Sequence, residues 1–478
     1  MTSPSAFTAG PEAPAMGDLA HDLVDTVLGA PEPPADVLAA ARLHFLDACG
    51  VAMAAAAIGP VAGIAGLATE APGEACTAFG TGRTAPAGTA ALVNGTLMHS
   101  LEYDDTHVAS VMHGSAVLAP VALAAAQECG ADGARMLRAY TLGWETLIRI
   151  GLAAPGGIQD RGFQGTSAAG PFAAAVTAGV VRRAPAGVLA HAVGIAGSMS
   201  GGTFAFLRDG ATVKAAQPAF AARAGLTALR LAEAGMTGPG DVFEAPAGFY
   251  AQFAGDPAAA TRLRPLIATL GTRWYLPEAA FKGFPCCHFI HPFIEALSRI
   301  LDGGVDARDV AAVHCAVPDG QWPVIGEPWQ AKRRPARAHD ARWSLPYTLA
   351  GRLVTGTVDA GLYQGAARPE VADAAEKITG ERWAGSGYPE VFPARISVRT
   401  HDGRTHEAEV ADVRGSVRRP FTPEEIVGKF RRNGALGGLA GAAMRSVAGE
   451  LLDAAVPDLG VVADAVAGQG PVREERRA

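Results

Sequence analysis

Between residues 17 and 270, apolar residues recur at helical spacing, and glycine recurs within the same segments. This combination constrains the fold strongly, because glycine inside a helix costs about 1 kcal/mol relative to alanine. Helices retain such glycines where a neighbouring helix approaches closely, so the pattern predicts a buried bundle of small-residue helices. We therefore expect a mainly α protein. The periodic segments are 18–28, 34–57, 90–103, 115–128, 132–152 and 167–178.

The pattern changes after residue 271. Segments 310–317 and 395–400 carry β-branched residues as strands do, and 405–410 can pair with 395–400 across a turn. Helices are predicted at 292–301 and 345–353, and helical spacing returns at 423–430 and 438–455. The chain is therefore expected to divide into a tail at 1–16, an all-α domain at 17–270 to which 412–478 returns, and an inserted α+β domain at 271–411.

The charges and cysteines argue against several classes of protein. The formal net charge is −7 and the basic residues are scattered, so no nucleic-acid partner is expected. Glycine and charged residues interrupt the apolar stretches, and no secretory signal is visible, so we expect neither a membrane span nor secretion. The six cysteines have no CxxC spacing for zinc or an iron–sulfur cluster, which indicates reduced thiols in a cytoplasmic protein.

The densest polar cluster runs from His99 to His107, with His113 shortly after it, at the end of a predicted helix. Asp104 and Asp105 are adjacent, so we expect one to cap the next turn and the other to face a cleft. Carboxylates crowded beside imidazoles shift pKa values toward neutrality, as acid–base catalysis requires. A helix cap within a polar loop would use the same residues, and the segment alone leaves this alternative open.

Two further segments could bind an anion. Lys214 lies in an alanine-rich stretch just before Gln217, and a partly buried lysine needs a negative partner such as a substrate carboxylate. A surface lysine whose stem covers apolar groups is the alternative. Segment 162–167, which contains Gln164, could hold a carboxylate on the amides of a helix N-terminus, or it could be an ordinary helix start.

A second dense cluster, KGFPCCHFIH at 282–291, lies where the helical part gives way to the α+β part. Such junctions are preferred ligand sites, and Lys282 with His288 and His291 suits an anion. The two histidines could instead bind a metal, but no acidic residue accompanies them as in HExxH, so we expect none. Tyr347 could bring a phenol to the cleft or belong to the core. No GxGxxG, Walker A or GxSxG motif is found, which argues against nucleotide, nicotinamide and serine-hydrolase chemistry.

Together and in this order, the clusters resemble the MmgE/PrpD family, whose members include 2-methylcitrate dehydratase, cis-aconitate decarboxylase and an iminodisuccinate epimerase. The resemblance implies an all-α domain with an inserted α+β lid domain, a homodimer, no metal or organic cofactor, and a small carboxylate as substrate. The matching segments are FLDACG at 45–50, LEYDDT at 101–106 with His113, GFQGT at 162–166, DGATVK at 209–214, KGFPCCHFIH at 282–291, SLPY at 344–347 and the helix at 423–430.

The resemblance also implies the residues of a site. In the mechanism that it suggests, His113 is the general acid or base, one aspartate orients it or acts as the base, and the lysines hold a carboxylate or the developing enolate. The implied catalytic residues are Asp104, Asp105, Thr106, His113, Lys214 and Tyr347, and the implied substrate-binding residues are Glu102, Gln164, Gln217, Lys282, Cys287 and His288.

Three of these positions depart from the family pattern. Glu102 stands where aspartate is frequent, and Gln164 and Gln217 stand where histidine is frequent. Glutamine cannot exchange a proton near neutral pH, so the departures predict a changed substrate. We expect a dehydratase acting on a small hydroxy-carboxylate. The alternatives are a decarboxylase or an epimerase on the same scaffold, and a binding protein that has lost catalysis.

Overall fold

The structure is a computed structural model that describes residues 18–70, 76–208, 210–388 and 390–468. Helices dominate it and its sheets are small, which confirms the mainly α class. The tail predicted at 1–16 lies outside the described residues. The α-helices are α1 (Leu19–Gly29), α2 (Ala35–Ile58), α3 (Gly66–Glu70), α4 (Ala87–Ser100), α5 (Ser115–Cys129), α6 (Gly133–Ala153), α7 (Gly157–Asp160), α8 (Gly165–Arg182), α9 (Ala186–Gly197), α10 (Gln217–Glu233), α11 (Ala259–Ala268), α12 (His291–Asp302), α13 (Trp322–Ile325), α14 (Trp329–Arg333), α15 (Leu345–Thr355), α16 (Pro369–Ala375), α17 (Pro423–Leu436), α18 (Gly441–Leu452) and α19 (Leu459–Ala467).

The first hydrophobic core is a helical bundle in which backbones approach closely. Gly225 of α10 lies against Ala174 and Ala175 of α8, where a Cβ atom would overlap both residues. Gly143 of α6 meets Thr177 of α8 in the same way. Glycine is therefore required at these helix crossings, and the close packing expected from the sequence is confirmed.

The C-terminal segment completes this first core. Phe430 of α17 lies directly on Gly50 of α2, where no other side chain would fit. Nζ of Lys429 donates to Oδ2 of Asp47 and to the carbonyl oxygen of Tyr103, both at 2.8 Å. The end of the chain thus packs on its beginning and also reaches the loop that follows α4.

One helix of the described chain, α2, is long and apolar enough to cross a membrane. Most of its apolar window is buried inside the protein, where it packs against α4 and α17. Burial of this kind is typical of the central helix of a folded core.

A second hydrophobic core surrounds a four-stranded sheet of order β6-β5-β7-β8. The predicted pairing of 395–400 with 405–410 is confirmed by β7 and β8, and α12 and α15 pack on this sheet. Strand β6, parallel to β5, was not predicted, because its sequence ITGERW is mostly polar and partly exposed at the sheet edge. The strands are β1 (Cys76–Ala78), β2 (Arg83–Ala85), β3 (Thr106–His107), β4 (Ala279–Ala280), β5 (Val310–Pro318), β6 (Ile378–Trp383), β7 (Ala394–Thr400) and β8 (Thr405–Val410).

Candidate active site

The loop after α4 joins the two polar clusters of the sequence. Within it, Glu102 has a φ of +53°, a left-handed conformation that costs a non-glycine residue free energy. The loop then enters β3, which pairs antiparallel with β4 so that Thr106 lies opposite Ala280. Continuing this register places Asp104 opposite Lys282, and Oδ1 of Asp104 lies 3.7 Å from Nζ of Lys282. A two-residue ladder therefore brings segments from distant parts of the chain together.

A chain of hydrogen bonds runs from Lys214 through His99 to Asp104. Nζ of Lys214 donates to Nε2 of His99 at 2.9 Å, and Nδ1 of His99 donates to Oδ2 of Asp104 at 2.7 Å. Lys214 is brought here by a 3₁₀ turn (Thr212–Ala216) that packs on α4. Burial raises the pKa of Asp104, but His99 and Lys282 lower it by more, so the carboxylate stays ionised.

Glu102 lies between the two lysines. Its Oε1 accepts a hydrogen bond from Nζ of Lys214, and its Oε2 is 3.7 Å from Nζ of Lys282. Burial raises the pKa of Glu102, but the attraction of the two ammonium groups holds it well below its ordinary value. Lys214 therefore already has a negative partner within the protein.

Lys282 has no such partner at hydrogen-bond distance. Its Nζ atom is buried and makes no hydrogen bond within the described structure. Burial lowers the pKa of Lys282, but Asp104 and Glu102 raise it above its ordinary value, so the side chain remains an ammonium at neutral pH. An ammonium has three N–H donors, and those of Lys282 are available to a ligand.

His113 lies in the turn between β3 and α5. Its backbone amide donates to Oγ1 of Thr166 at 2.9 Å, and its Nδ1 is 2.9 Å from the carbonyl oxygen of Asp105. A carbonyl oxygen can only accept, so Nδ1 carries the proton and Nε2 is unprotonated. Burial, opposed by Asp104, lowers the pKa of His113 to about 3. The imidazole is therefore neutral, and it can act as a base or as a hydrogen-bond acceptor.

Asp105 points away from these groups, into the helical core. Its Oδ1 accepts from the amide of Ser115 at 3.2 Å, and its Oδ2 is 2.8 Å from Nδ1 of His44. Asp105 therefore binds the first amide of α5, whereas Asp104 lies beside Lys282 and is not itself among the residues that line the cavity. The catalytic role expected of Asp105 is corrected, because its carboxylate binds the start of α5 and does not reach the cavity.

The opposite wall of the site comes from the second core. His288 follows Cys287 at the turn before α12, and neither ring nitrogen of His288 has a hydrogen-bond partner among the described residues. Burial, helped by His291 and Lys282, holds the pKa of His288 well below its ordinary value, so its imidazole is neutral. Burial raises the pKa of Cys287 to about 11, so its thiol is protonated and is a poor nucleophile at neutral pH.

These side chains surround a cavity of about 390 Å³. Its polar end is formed by predicted site residues, and its remaining wall is mostly apolar and aromatic. The predicted residues that line it are Glu102, Thr106, His113, Gln164, Lys214, Lys282, Cys287 and His288. The others are Val111, Gln159, Asp160, Gly165, Phe204, Phe206, Leu207, Phe289, Gly320, Pro323, Val324, Trp343, Tyr388 and Phe392.

Two family models match the chain: the MmgE/PrpD N-terminal domain at residues 24–261 and the MmgE/PrpD C-terminal domain at residues 284–451. The chain belongs to the MmgE/PrpD family. It is 30% identical to a cis-aconitate decarboxylase-like protein of Aspergillus oryzae, over 84% of this chain and 86% of the relative. It is 26% identical to a cis-aconitate decarboxylase of Aspergillus terreus, over 83% and 85% of the two chains. It is 27% identical to the cis-aconitate decarboxylase of Homo sapiens, over 72% of each chain.

Gln164 and Gln217, the two glutamines predicted to bind the substrate of this MmgE/PrpD protein, form hydrogen bonds with backbone groups. Oε1 of Gln164 accepts from the amide of Ser167 at 2.6 Å and so caps α8, which leaves that helix N-terminus as an ordinary capped start. Nε2 of Gln217 donates to the carbonyl oxygen of Thr203 at 2.8 Å. Gln217 does not line the cavity, so its expected contact with the substrate is corrected.

Tyr347 also lies outside the cavity of the MmgE/PrpD protein. It is fully buried in the second core, and its hydroxyl oxygen accepts from the amide of Arg368 at 2.8 Å. The catalytic role predicted for Tyr347 is therefore wrong, and the alternative of a core residue holds. Helix α15 directs this side chain into the interior of the second core.

A metal ion could in principle be held by His99, Asp104 and His113, whose ligand atoms all lie within 4.8 Å of one another. Nδ1 of His99 and Oδ2 of Asp104 are, however, already bonded to each other. The ammonium groups of Lys214 and Lys282 lie 2.9 Å from His99 and 3.7 Å from Asp104 and would repel a divalent cation. The chemistry of this donor set suits proton transfer better than metal binding.

Sequence reasoning missed two parts of the site in this MmgE/PrpD protein. His99 was noted in the first cluster but given no role, although it connects Lys214 to Asp104. The aromatic wall was not expected at all. A signal for it existed, because aromatic residues make up only 6% of the chain and yet Phe204 and Phe206 lie close to Lys214 in sequence.

Proposed function

We propose that this MmgE/PrpD protein is a cofactor-independent lyase that releases CO2 from a carboxylate substrate. The observation that carries the proposal is a group of buried polar atoms without hydrogen-bond partners among the described residues. Nζ of Lys282 and both ring nitrogens of His288 belong to residues that line the cavity, and Oδ1 of Asp104 lies 3.7 Å from Nζ of Lys282. Each such atom costs about 1–3 kcal/mol or more, so the site favours a polar ligand, and the ammonium favours an anion. The relatives named as cis-aconitate decarboxylases support this reaction type.

In the proposed reaction, Lys282 binds one carboxylate of the substrate. The bond between an allylic carbon and a second carboxylate breaks, and CO2 leaves. The electron pair shifts through the double bond to the carbon next to the carboxylate held by Lys282, into which it spreads. Lys214 donates a proton to that carbon and recovers one from solvent. Two N–H bonds of Lys214 are directed to His99 and Glu102, which leaves the third for the substrate. Cations fixed next to developing charge supply the largest share of such catalysis.

A second candidate is the dehydration expected from the sequence. The observation that favours it is the unprotonated Nε2 of His113, a proton acceptor that simple decarboxylation does not require. In that reaction His113 removes a proton next to the carboxylate held by Lys282, and Lys214 protonates the departing hydroxyl group. Mass spectrometry separates the two reactions by loss of CO2 or loss of water.

Replacing the unpaired ammonium tests the proposal. We expect Lys282→Met to lower kcat/KM for CO2 release at least about 100-fold, because the carboxylate and the developing charge lose their cation. The measurement is CO2 release and product mass from a panel of unsaturated di- and tricarboxylates. Lys377→Met, at an exposed lysine of the second core, is the matched control and should keep the wild-type rate.

Two results would contradict the proposal. The first is an unchanged rate in Lys282→Met, with thermal unfolding showing that the variant is folded. The second is an absence of CO2 or water release across the whole panel while the same compounds bind, which would favour a binding protein that has lost catalysis.

A further inference from the structure

The polar end of the cavity is balanced in charge before any substrate binds. Lys214 and Lys282 face Glu102 and Asp104, whose carboxylates are held ionised. The imidazoles of His113 and His288 are neutral. Lys282 is the one ammonium lining the cavity, within the described ranges, that lacks a hydrogen-bond partner. The site therefore provides for about one substrate carboxylate.

Among the described residues, the rest of the cavity lining contains no further cation. A 3₁₀ segment (Phe204–Arg208) contributes three apolar side chains to the wall, the second core contributes Trp343, and Phe289 and Phe392 add two phenyl rings. The rings form two pairs: the centroids of Phe206 and Trp343 are 6.2 Å apart, and those of Phe289 and Phe392 are 4.8 Å apart. The wall is thus largely apolar and suited to a hydrocarbon group.

Outside the polar cluster of lysines and carboxylates, the charged residue among the described lining residues is an acid. Asp160, at the end of α7, lines the cavity together with Gln159. A carboxylate in this position repels additional negative charge on a substrate. A tricarboxylate would place two of its groups against phenyl rings and near Asp160 with no counter-charge, which is unfavourable in a desolvated site.

We propose that the substrate is a dicarboxylate carrying an alkyl or aryl substituent, in which one carboxylate binds Lys282 and the substituent lies against the aromatic wall. This inference rests on the proposed decarboxylation and specifies its substrate. The carboxylate that leaves lies beside apolar side chains, where loss of its charge as neutral CO2 is favoured. Phe206, Leu207 and Phe392 then select the substituent.

A matched pair of compounds tests this inference. 3-Butylglutaconate, with the double-bond geometry of cis-aconitate, and cis-aconitate, which is 3-carboxyglutaconate, share the same unsaturated dicarboxylate with an allylic carboxylate that can leave. They differ in whether the substituent is apolar or anionic. We expect kcat/KM for CO2 release to be at least about tenfold higher for 3-butylglutaconate, since burial of a few methylene groups supplies discrimination of this order. Calorimetric dissociation constants for both compounds provide a readout that does not depend on turnover.

Leu207→Lys adds a cation to the apolar wall at a position that is already 37% exposed and so tolerates a charge. We expect it to reduce the preference for 3-butylglutaconate about tenfold or more. Leu436→Lys, at a 51% exposed leucine of α17, is the matched control and should leave the preference unchanged.

The failures of the two proposals are distinguishable. CO2 release with equal or greater kcat/KM for cis-aconitate overturns the substrate inference and leaves the decarboxylase proposal standing. Tighter binding of 3-butylglutaconate without CO2 release from either compound supports the substrate inference and overturns the decarboxylase proposal. Equal or tighter binding of cis-aconitate without turnover overturns both.

Discussion

At the scale of single residues, burial sets the protonation of the histidines near the site. His107 in β3 is buried, and its Nδ1 accepts from the amide of Ser110 at 3.3 Å, so the ring is held as a neutral imidazole. Burial lowers the pKa of His107 to about 3, and the pKa of His291 is lowered to about 3 as well, by burial and by Lys282. Surroundings of this kind favour catalysis by imidazoles in their neutral form. Buried neutral histidines also make the stability of the folded protein sensitive to acid.

The sign of this sensitivity follows from proton binding. Below a pH of about 6.5 the unfolded chain binds a proton at His107 that the folded protein excludes down to pH about 3, so stability falls as the pH falls through this range. When the pH is lowered from ~7.5 to ~5, we expect the free energy of unfolding of His107→Gln to fall by about 2 kcal/mol less than that of the wild type. Urea unfolding at the two pH values measures the difference.

The control for this experiment is His401→Gln, because the side chain of His401 is exposed in the folded protein. It should show the pH dependence of the wild type. If His107→Gln also shows the wild-type pH dependence, its ring is not held neutral by burial.

At the scale of secondary-structure elements, close helix crossings and one short ladder hold the site in place. The contact between α8 and α10 fixes the start of α10, just after the turn that carries Lys214. The ladder between β3 and β4 fixes Asp104 relative to Lys282. The geometry of the two lysines therefore depends on elements that contribute little to the cavity wall themselves.

Replacing a helical glycine by alanine should change the free energy of unfolding in opposite directions at a helix crossing and on an open face. Gly225→Ala places a methyl group on the backbone of α8, and we expect it to lower the free energy of unfolding by about 1–3 kcal/mol. Gly449→Ala in α18, where no atom lies within 4 Å of a Cβ atom, should be neutral or raise it by up to about 1 kcal/mol. Chemical denaturation of both variants tests this, and equal effects would contradict the close crossing.

At the scale of the whole molecule, the site exists only where the two hydrophobic cores meet. Lys214 and His113 come from the helical part of the first core, while His288 and Trp343 come from the second. Helix α17 supports this seam, because Lys429 joins Asp47 of α2 to the carbonyl oxygen of Tyr103 in the site loop. The hydroxyl group of Tyr103 in turn donates to the carbonyl oxygen of Gly283 at 3.1 Å, beside Lys282.

Removing one member of this buried pair should be costly. We expect Lys429→Met to lower the free energy of unfolding by about 3–5 kcal/mol, because Asp47 is left as an unpaired buried charge. Adding Asp47→Leu should restore much of that loss, since no buried charge then remains. Denaturant unfolding of the single and double variants tests the pairing, and an absence of recovery in the double variant would count against it.

Much of the fold could be predicted from the sequence because local periodicity determines it. The spacing of apolar residues located the helices of the first core, and the turn at 401–404 located the hairpin of β7 and β8. Of the twelve residues predicted for the site, eight line the cavity. Strand β6 could not be predicted, because a polar edge strand is recognisable only beside its partner β5.

The sequence by itself determined which chemical groups are present: two lysines, several carboxylates and several imidazoles within three short segments. Only the tertiary structure decided which of them meet. The left-handed turn at Glu102 and the ladder with β4 direct Asp104 into the site and leave Asp105 in the helical core. Side-chain direction in a loop depends on backbone dihedral angles and on partners far away in the chain. For the same reason the role of His99, the interior position of Tyr347 and the apolar wall became visible only in the folded protein.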